Sequence, residues 1–94
     1  LVAGTKTTEM TFYSNGLPRS RSFKEYGAIS RDPKEGPAHI TFGVNGELFK
    51  VWYFVDGKAS RDPLEGPAVI KFDAAGNEVC RQYWVNGVSR NDVG

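Results

Sequence analysis

A block of thirty residues occurs twice in succession in this 94-residue chain. Ser30-Arg31-Asp32-Pro33 returns as Ser60-Arg61-Asp62-Pro63, and Glu35-Gly36-Pro37-Ala38 returns as Glu65-Gly66-Pro67-Ala68. Aligning residues 27–56 with 57–86 leaves 14 identities in 30 positions without a gap. Such a repeat constrains the fold strongly, because each unit is too small to bury its apolar face alone and must stack on its neighbours. The frame extends backwards in weaker form. Thr11, Phe12, Asn15 and Gly16 align with Thr41, Phe42, Asn45 and Gly46, and Phe23 falls where Tyr53 and Tyr83 stand. The N-terminal copy lacks the Asp-Pro-x-Glu-Gly-Pro segment, and another copy starts at Gly87 with one residue missing before Ser89. The chain is thus expected to be one domain, with units at approximately 1–26, 27–56 and 57–86 and a partial cap at 87–94.

Within each unit the apolar period is two, the period of a strand. Ala38, Ile40 and Phe42 alternate with His39 and Thr41; Ala68, Ile70 and Phe72 alternate with Val69 and Lys71. Turn signals follow at Asn15-Gly16, Asn45-Gly46 and Ala75-Gly76-Asn77, and a second set stands at Asp56-Gly57 and Asn86-Gly87. No stretch carries a helical period. The pattern predicts an all-β fold: an antiparallel β-meander of about three hairpin repeats in a single-layer or curled sheet. A two-residue turn at Asn45-Gly46 would set Phe42 opposite Phe49, Ile40 opposite Val51 and Ala38 opposite Tyr53. The same logic at Asp56-Gly57 places Arg61 beside Trp52, with His39 on the other side. Phe12, Phe42 and Phe72 are then expected on the structural face, with Trp52, Phe54 and Trp84 opposite.

Composition narrows the function classes. Twelve Lys and Arg against eleven Asp and Glu leave a formal charge of +1. That balance lacks the long-range field of a non-specific nucleic-acid binder, so nucleic acid is disfavoured as a partner. One cysteine and one histidine make neither an internal disulfide nor a zinc site. The longest apolar run, Val51 to Val55, is too short for a transmembrane segment. A free Cys80 fits a reducing compartment, so a cytoplasmic location is expected. A chain starting at Leu1 is expected to be processed or trimmed.

The chemistry-bearing residues favour binding over catalysis. Asp32 and Glu35, with Asp62 and Glu65, are paired carboxylates that suit acid–base work or an ion site. They also stand in a turn sequence, Asp-Pro-x-Glu-Gly-Pro, and occur twice, whereas a catalytic centre is usually built once. A scaffold loop is the expectation, with Arg31 and Arg61 pairing the adjacent aspartates. His39 has no second histidine or nucleophile motif to work with, Cys80 aligns with the polar positions Ser20 and Lys50, and no glycine-rich phosphate loop opens a helix. No enzyme, cofactor or metal is expected.

Tyr53-Phe54-Val55-Asp56-Gly57-Lys58, Tyr83-Trp84-Val85-Asn86-Gly87 and Phe12-Tyr13-Ser14-Asn15-Gly16 are glycine-punctuated hairpin units. They resemble the MORN (membrane occupation and recognition nexus) repeats, and in particular the bacterial antitoxin-type variant, over nearly the whole chain. The unit here is longer than the family's, through the Arg-Asp-Pro-x-Glu-Gly-Pro-Ala insertion. The resemblance implies a curved single-layer sheet used for binding.

These observations lead to a protein–protein interaction module, a small inhibitor or immunity-type protein of bacterial or phage origin. It is expected to bind a partner protein or a second copy through Trp52, Phe54, Trp84, Arg61 and His39, centred on the second and third units. The alternative is a module for lipid headgroups or nucleic acid, using Arg19, Arg21, Arg31, Arg61 and Arg90 with neighbouring aromatics.

Overall fold

The computed structural model describes residues 6–90. The outer ends of the first unit and of the partial cap, 1–5 and 91–94, lie outside the described residues. The fold is all-β and antiparallel, as the alternation predicts. Eleven strands are described: β1 (Lys6–Phe12), β2 (Pro18–Glu25), β3 (Ala28–Ile29), β4 (His39–Phe42), β5 (Leu48–Trp52), β6 (Phe54–Val55), β7 (Lys58–Ala59), β8 (Val69–Phe72), β9 (Glu78–Gln82), β10 (Trp84–Val85) and β11 (Val88–Ser89). The main sheet runs β1-β2-β4-β5-β8-β9, with β3 paired to the end of β2, and it does not close. The pairs β6–β7 and β10–β11 form separate small hairpins.

Two kinds of turn alternate along the chain. Tyr26-Gly27, Asp56-Gly57 and Asn86-Gly87 carry positive φ at both residues, 53° and 84°, 51° and 81°, 50° and 80°. That is the two-residue type I′ turn expected of a tight hairpin. At the other set only the glycine is positive, for example Gly46 at 90°. Gly43 N–H donates to Glu47 O at 2.7 Å, and Gly46 N–H to Gly43 O at 2.9 Å. This turn is a three-residue loop closed by a glycine bulge, not the two-residue turn expected at Asn45-Gly46. The correction is local. Ile40 faces Val51 as expected, but Phe42 faces Leu48 and not Phe49, because the bulge takes up one residue between Thr41 and Phe42. The same shift recurs at Phe12 and Phe72.

A second correction concerns Arg61. At Tyr53 the chain leaves the main sheet, and Tyr53 N–H donates to Ala68 O at 2.7 Å while Phe54 and Val55 pair with Ala59 and Lys58. The small hairpins lie side by side: Gly57 N–H donates to Ile29 O and Gly87 N–H to Ala59 O, each at 2.8 Å. Arg31 N–H donates to Phe54 O, and Arg61 N–H to Trp84 O. On the side away from His39, the cross-strand neighbour of Trp52 is therefore Val69 of β8, and Arg61 is carried away to the next hairpin.

The molecule is a slab of 43 × 43 × 17 Å. Its core is correspondingly small: Ala38, Val51, Ala68, Val69 and Ile70, and among the described residues no large side chain is completely buried. Val51 and Ile70, which pair with each other, lie on the face expected to be buried, whereas Val69, equally buried, lies on the opposite face beside Trp52. The phenylalanine column of the first face is looser than expected. Phe12 is 55% exposed, while Phe42 and Phe72 are half-buried. Truncating Phe42 should therefore cost well below the roughly 3–5 kcal/mol of a fully buried ring. Among the described residues no helix is long and apolar enough to cross a membrane.

Candidate functional site

Strands β4 and β5 bring His39 and Trp52 side by side on the face opposite Ile40 and Val51. Their ring centroids are 4.9 Å apart at an interplanar angle of 53°. Ser22 of β2 pairs with His39, and its Oγ lies 2.7 Å from His39 Nδ1. The full cross-strand row is Glu9, Ser22, His39, Trp52, Val69 and Gln82. Two residues along the strands runs a second row on the same face: Ser20, Thr41, Lys50, Lys71 and Cys80. Lys50 Nζ stands 4.8 Å from the centroid of the Trp52 ring, and Lys71 Nζ 5.5 Å from that of Phe49.

Partial burial pushes the His39 pKa below its ordinary value. The neutral ring is thus the form the fold accommodates. The unfolded chain takes up the proton near its ordinary pKa of about 6.5, and the folded chain only at lower pH. Between those points the unfolded state holds more protons, so acidification favours unfolding; well above the unfolded pKa the effect is absent. Melting temperatures of wild type and His39→Gln, compared from about pH 7.5 down to about pH 5, should show a steeper fall for wild type. Parallel curves would mean that His39 does not contribute to the pH dependence.

The other candidate residues are distributed differently. Phe54 and Trp84 are equivalent residues of the small hairpins β6 and β10, both half-buried, and Trp84 Nε1–H donates to Gln82 Oε1 at 3.4 Å. Arg61 lies over Tyr53, its Cζ 4.1 Å from the ring centroid. Its Nη1 donates to Pro67 O at 3.1 Å. Arg31 repeats this on Phe23, at 3.9 Å, with Pro37 O as acceptor at 3.3 Å. The expected Arg–Asp pairs are replaced by these clasps: among the described residues neither Arg31 nor Arg61 forms an ion pair. Each aspartate instead holds its own turn, Asp32 Oδ1 accepting from Lys34 N–H and Asp62 Oδ1 from Leu64 N–H, both at 2.9 Å. The serine that opens the block also has a task. Ser30 is buried, and its Oγ accepts from Asp56 N–H at 2.9 Å; Ser60 does the same for Asn86 at 3.1 Å.

Sequence reasoning missed Lys50 and Lys71. Their meeting depends on the pairing of β5 with β8, which are separated in sequence by the β6–β7 hairpin and a nine-residue loop, 60–68. No local turn signal sets that register.

No protein-family model matches the chain, and neither does a curated protein or a solved structure. The fold itself defines a class: an open antiparallel sheet built of successive hairpins, whose broad faces have no helical layer among the described residues.

Proposed function

We propose that this chain is a non-enzymatic protein-binding module, a MORN-like sheet that acts as a small inhibitor or immunity-type protein of bacterial or phage origin in the cytoplasm. Its contact surface is the face that carries Trp52. One observation supports this above others: Lys50 and Lys71 stand directly opposite each other on adjacent strands, Lys50 Nζ over the Trp52 ring and Lys71 Nζ over that of Phe49. Like charges in that position cost stability, on the order of 0.2–1 kcal/mol. The described ion pairs are Lys24–Glu9 and Arg81–Glu78, and neither includes Lys50 or Lys71. A carboxylate from a partner, placed between the two ammonium groups with an apolar neighbour on Trp52, would relieve the repulsion and cover the ring. Two aromatic rings, each with a lysine over it, suit a protein surface bearing Asp or Glu. Two of the five arginines that a nucleic-acid or headgroup module would use, Arg31 and Arg61, are engaged elsewhere, clasped in their loops.

The test separates stability from binding. Lys50→Glu converts the like-charge pair into an opposite-charge pair, so the melting temperature should stay level or rise. A partner captured with the wild-type chain and titrated by calorimetry should nevertheless bind this variant more weakly. Trp52→Ala should weaken it by about 2 kcal/mol, roughly thirtyfold, on the hot-spot scale. Undiminished affinity in both variants sinks the proposal. So does salt-dependent binding to oligonucleotides or anionic vesicles that accounts for the retention of the chain.

A further inference from the structure

The two edges of the main sheet are complementary to each other. Inside the chain, one unit joins the next through a fixed pairing. Ser20, Arg21 and Ser22 of β2 face Thr41, Ile40 and His39 of β4. Thirty residues on in both strands, Lys50, Val51 and Trp52 of β5 face Lys71, Ile70 and Val69 of β8. A further step of thirty reaches Cys80, Arg81 and Gln82 of β9, whose described pairing is with β8 alone. The strand that corresponds to β4 and β8 at the start of the chain is β1, whose described pairing is with β2 alone. We propose that β9 of one copy pairs antiparallel with β1 of a second copy, head to tail, in the register that already joins successive units. Cys80 then faces Thr11, Arg81 faces Met10 and Gln82 faces Glu9.

The side chains suit this register. Arg81 against Met10 repeats the internal pair of Arg21 and Ile40. Cys80 against Thr11 takes the place of the Lys50–Lys71 pair without its repulsion, and Gln82 has an amide to donate to Glu9. One residue further, Val79 and Phe12 come together as Phe49 and Phe72 line one depression within the chain. Val79 and Phe12 are 56% and 55% exposed on their open edges, so both gain cover. Neither strand contains a proline, and all residues of both but Gln82 are exposed. Edges of that kind are templates for pairing unless something blocks them.

The backbone is also presented correctly. Gln82 O accepts from Ala68 N–H at 2.9 Å, on the side of β8. By the alternation of a strand, the N–H and C=O of Arg81 point away from β8, to the open edge. The contact is heterologous, using a different surface on each copy, so it leaves a free β9 and a free β1 at the two ends. Copies therefore add in line and do not stop at a dimer.

The test uses the 94-residue chain. Cys80 and position 11 would form a non-hydrogen-bonded pair with Cα atoms about 4.5 Å apart, within disulfide range. Thr11→Cys, oxidised with copper phenanthroline, should give a ladder of linked dimers, trimers and higher species on a non-reducing gel. Peptide mapping should place each link between position 11 and Cys80. The wild-type chain should show a sedimentation mass that rises with concentration beyond that of a dimer. Arg81→Pro removes an outward N–H, spares the β8 ladder and should abolish that rise. Val79→Lys on the same edge should do likewise, and keeps the test open if the proline variant fails to fold. A wild-type chain that stays monomeric at every concentration overturns the proposal. Links between two Cys80 residues, which report a symmetric β9–β9 dimer, overturn it equally.

Discussion

Ile70→Ala should lower stability by about 2–5 kcal/mol, the range for truncating a buried isoleucine. Ile70 is 8% exposed and lies between Val51 on one strand and Arg81 on the other. In a thick core, neighbours relax partly into a cavity. Here the sheet is one layer and the buried set is five small or medium side chains, so there is little to move in. Domains are stable by only about 0.05–0.15 kcal/mol per residue, so the loss is a large fraction of what this chain has. At roughly 4–8 °C per kcal/mol for a domain of this size, the melting temperature should fall by at least about 8 °C. Val88→Ala is the matched control on an exposed strand position and should stay within about 0.5 kcal/mol. An Ile70 variant that melts with wild type would mean that the opposite face is the one holding the sheet together.

The outcome at Ile70 depends on a register that is legible in sequence. The alternation of Ala38, Ile40 and Phe42 with His39 and Thr41 identifies the faces, and the pairing of Ile40 with Val51 follows from one nearby turn. The Asn45-Gly46 pair signals that turn but not its length. Asparagine tolerates either sign of φ, so a two-residue turn and a three-residue loop closed by Gly46 look alike in sequence. The difference displaces only the last pair, and Phe42 meets Leu48. Asp56-Gly57 does make the two-residue turn that its residues signal, yet that turn does not bring Arg61 to Trp52. A hairpin's register reaches only as far as its strands stay paired. The bend at Tyr53 ends that pairing, and nothing in the residue types around Tyr53 marks it.

The site is less legible than the fold for the same reason. His39 and Trp52 meet because one short turn joins their strands. Lys50 and Lys71 meet because β5 and β8 pair across a connection of sixteen residues, 53–68, whose path is set by hydrogen bonds between different units. Arg31 and Arg61 illustrate the opposite error. Adjacency in sequence suggests a pair with Asp32 or Asp62, but successive residues of an extended chain point to opposite sides. The guanidinium finds the aromatic ring of the preceding strand segment instead, and the aspartate turns to its own loop.

The clasp makes a second large effect predictable. Gly66 has φ of 143°, a conformation that side chains rarely adopt, and a Cβ built there would lie 2.7 Å from Arg61 Nη1. Gly66→Ala thus meets two separate costs. Backbone strain amounts to about 1–3 kcal/mol. The second arises because the guanidinium cannot simply swing away: it is stacked 4.1 Å from the Tyr53 centroid and donates to Pro67 O. Displacing it loses a cation–π contact and a hydrogen bond, about 1 kcal/mol each. The two costs together approach those at Ile70, although position 66 lies in a loop and not in a strand. A double-mutant cycle separates them. In an Arg61→Ala background the second cost has already been incurred, so Gly66→Ala should be less destabilising there than in wild type by about 1–2 kcal/mol. Equal losses in both backgrounds would leave only the backbone strain, and the glycine would then be required for its φ alone. A smaller loss in the Arg61→Ala background would mean that glycine recurs in both loops because an arginine has to pass close to its backbone.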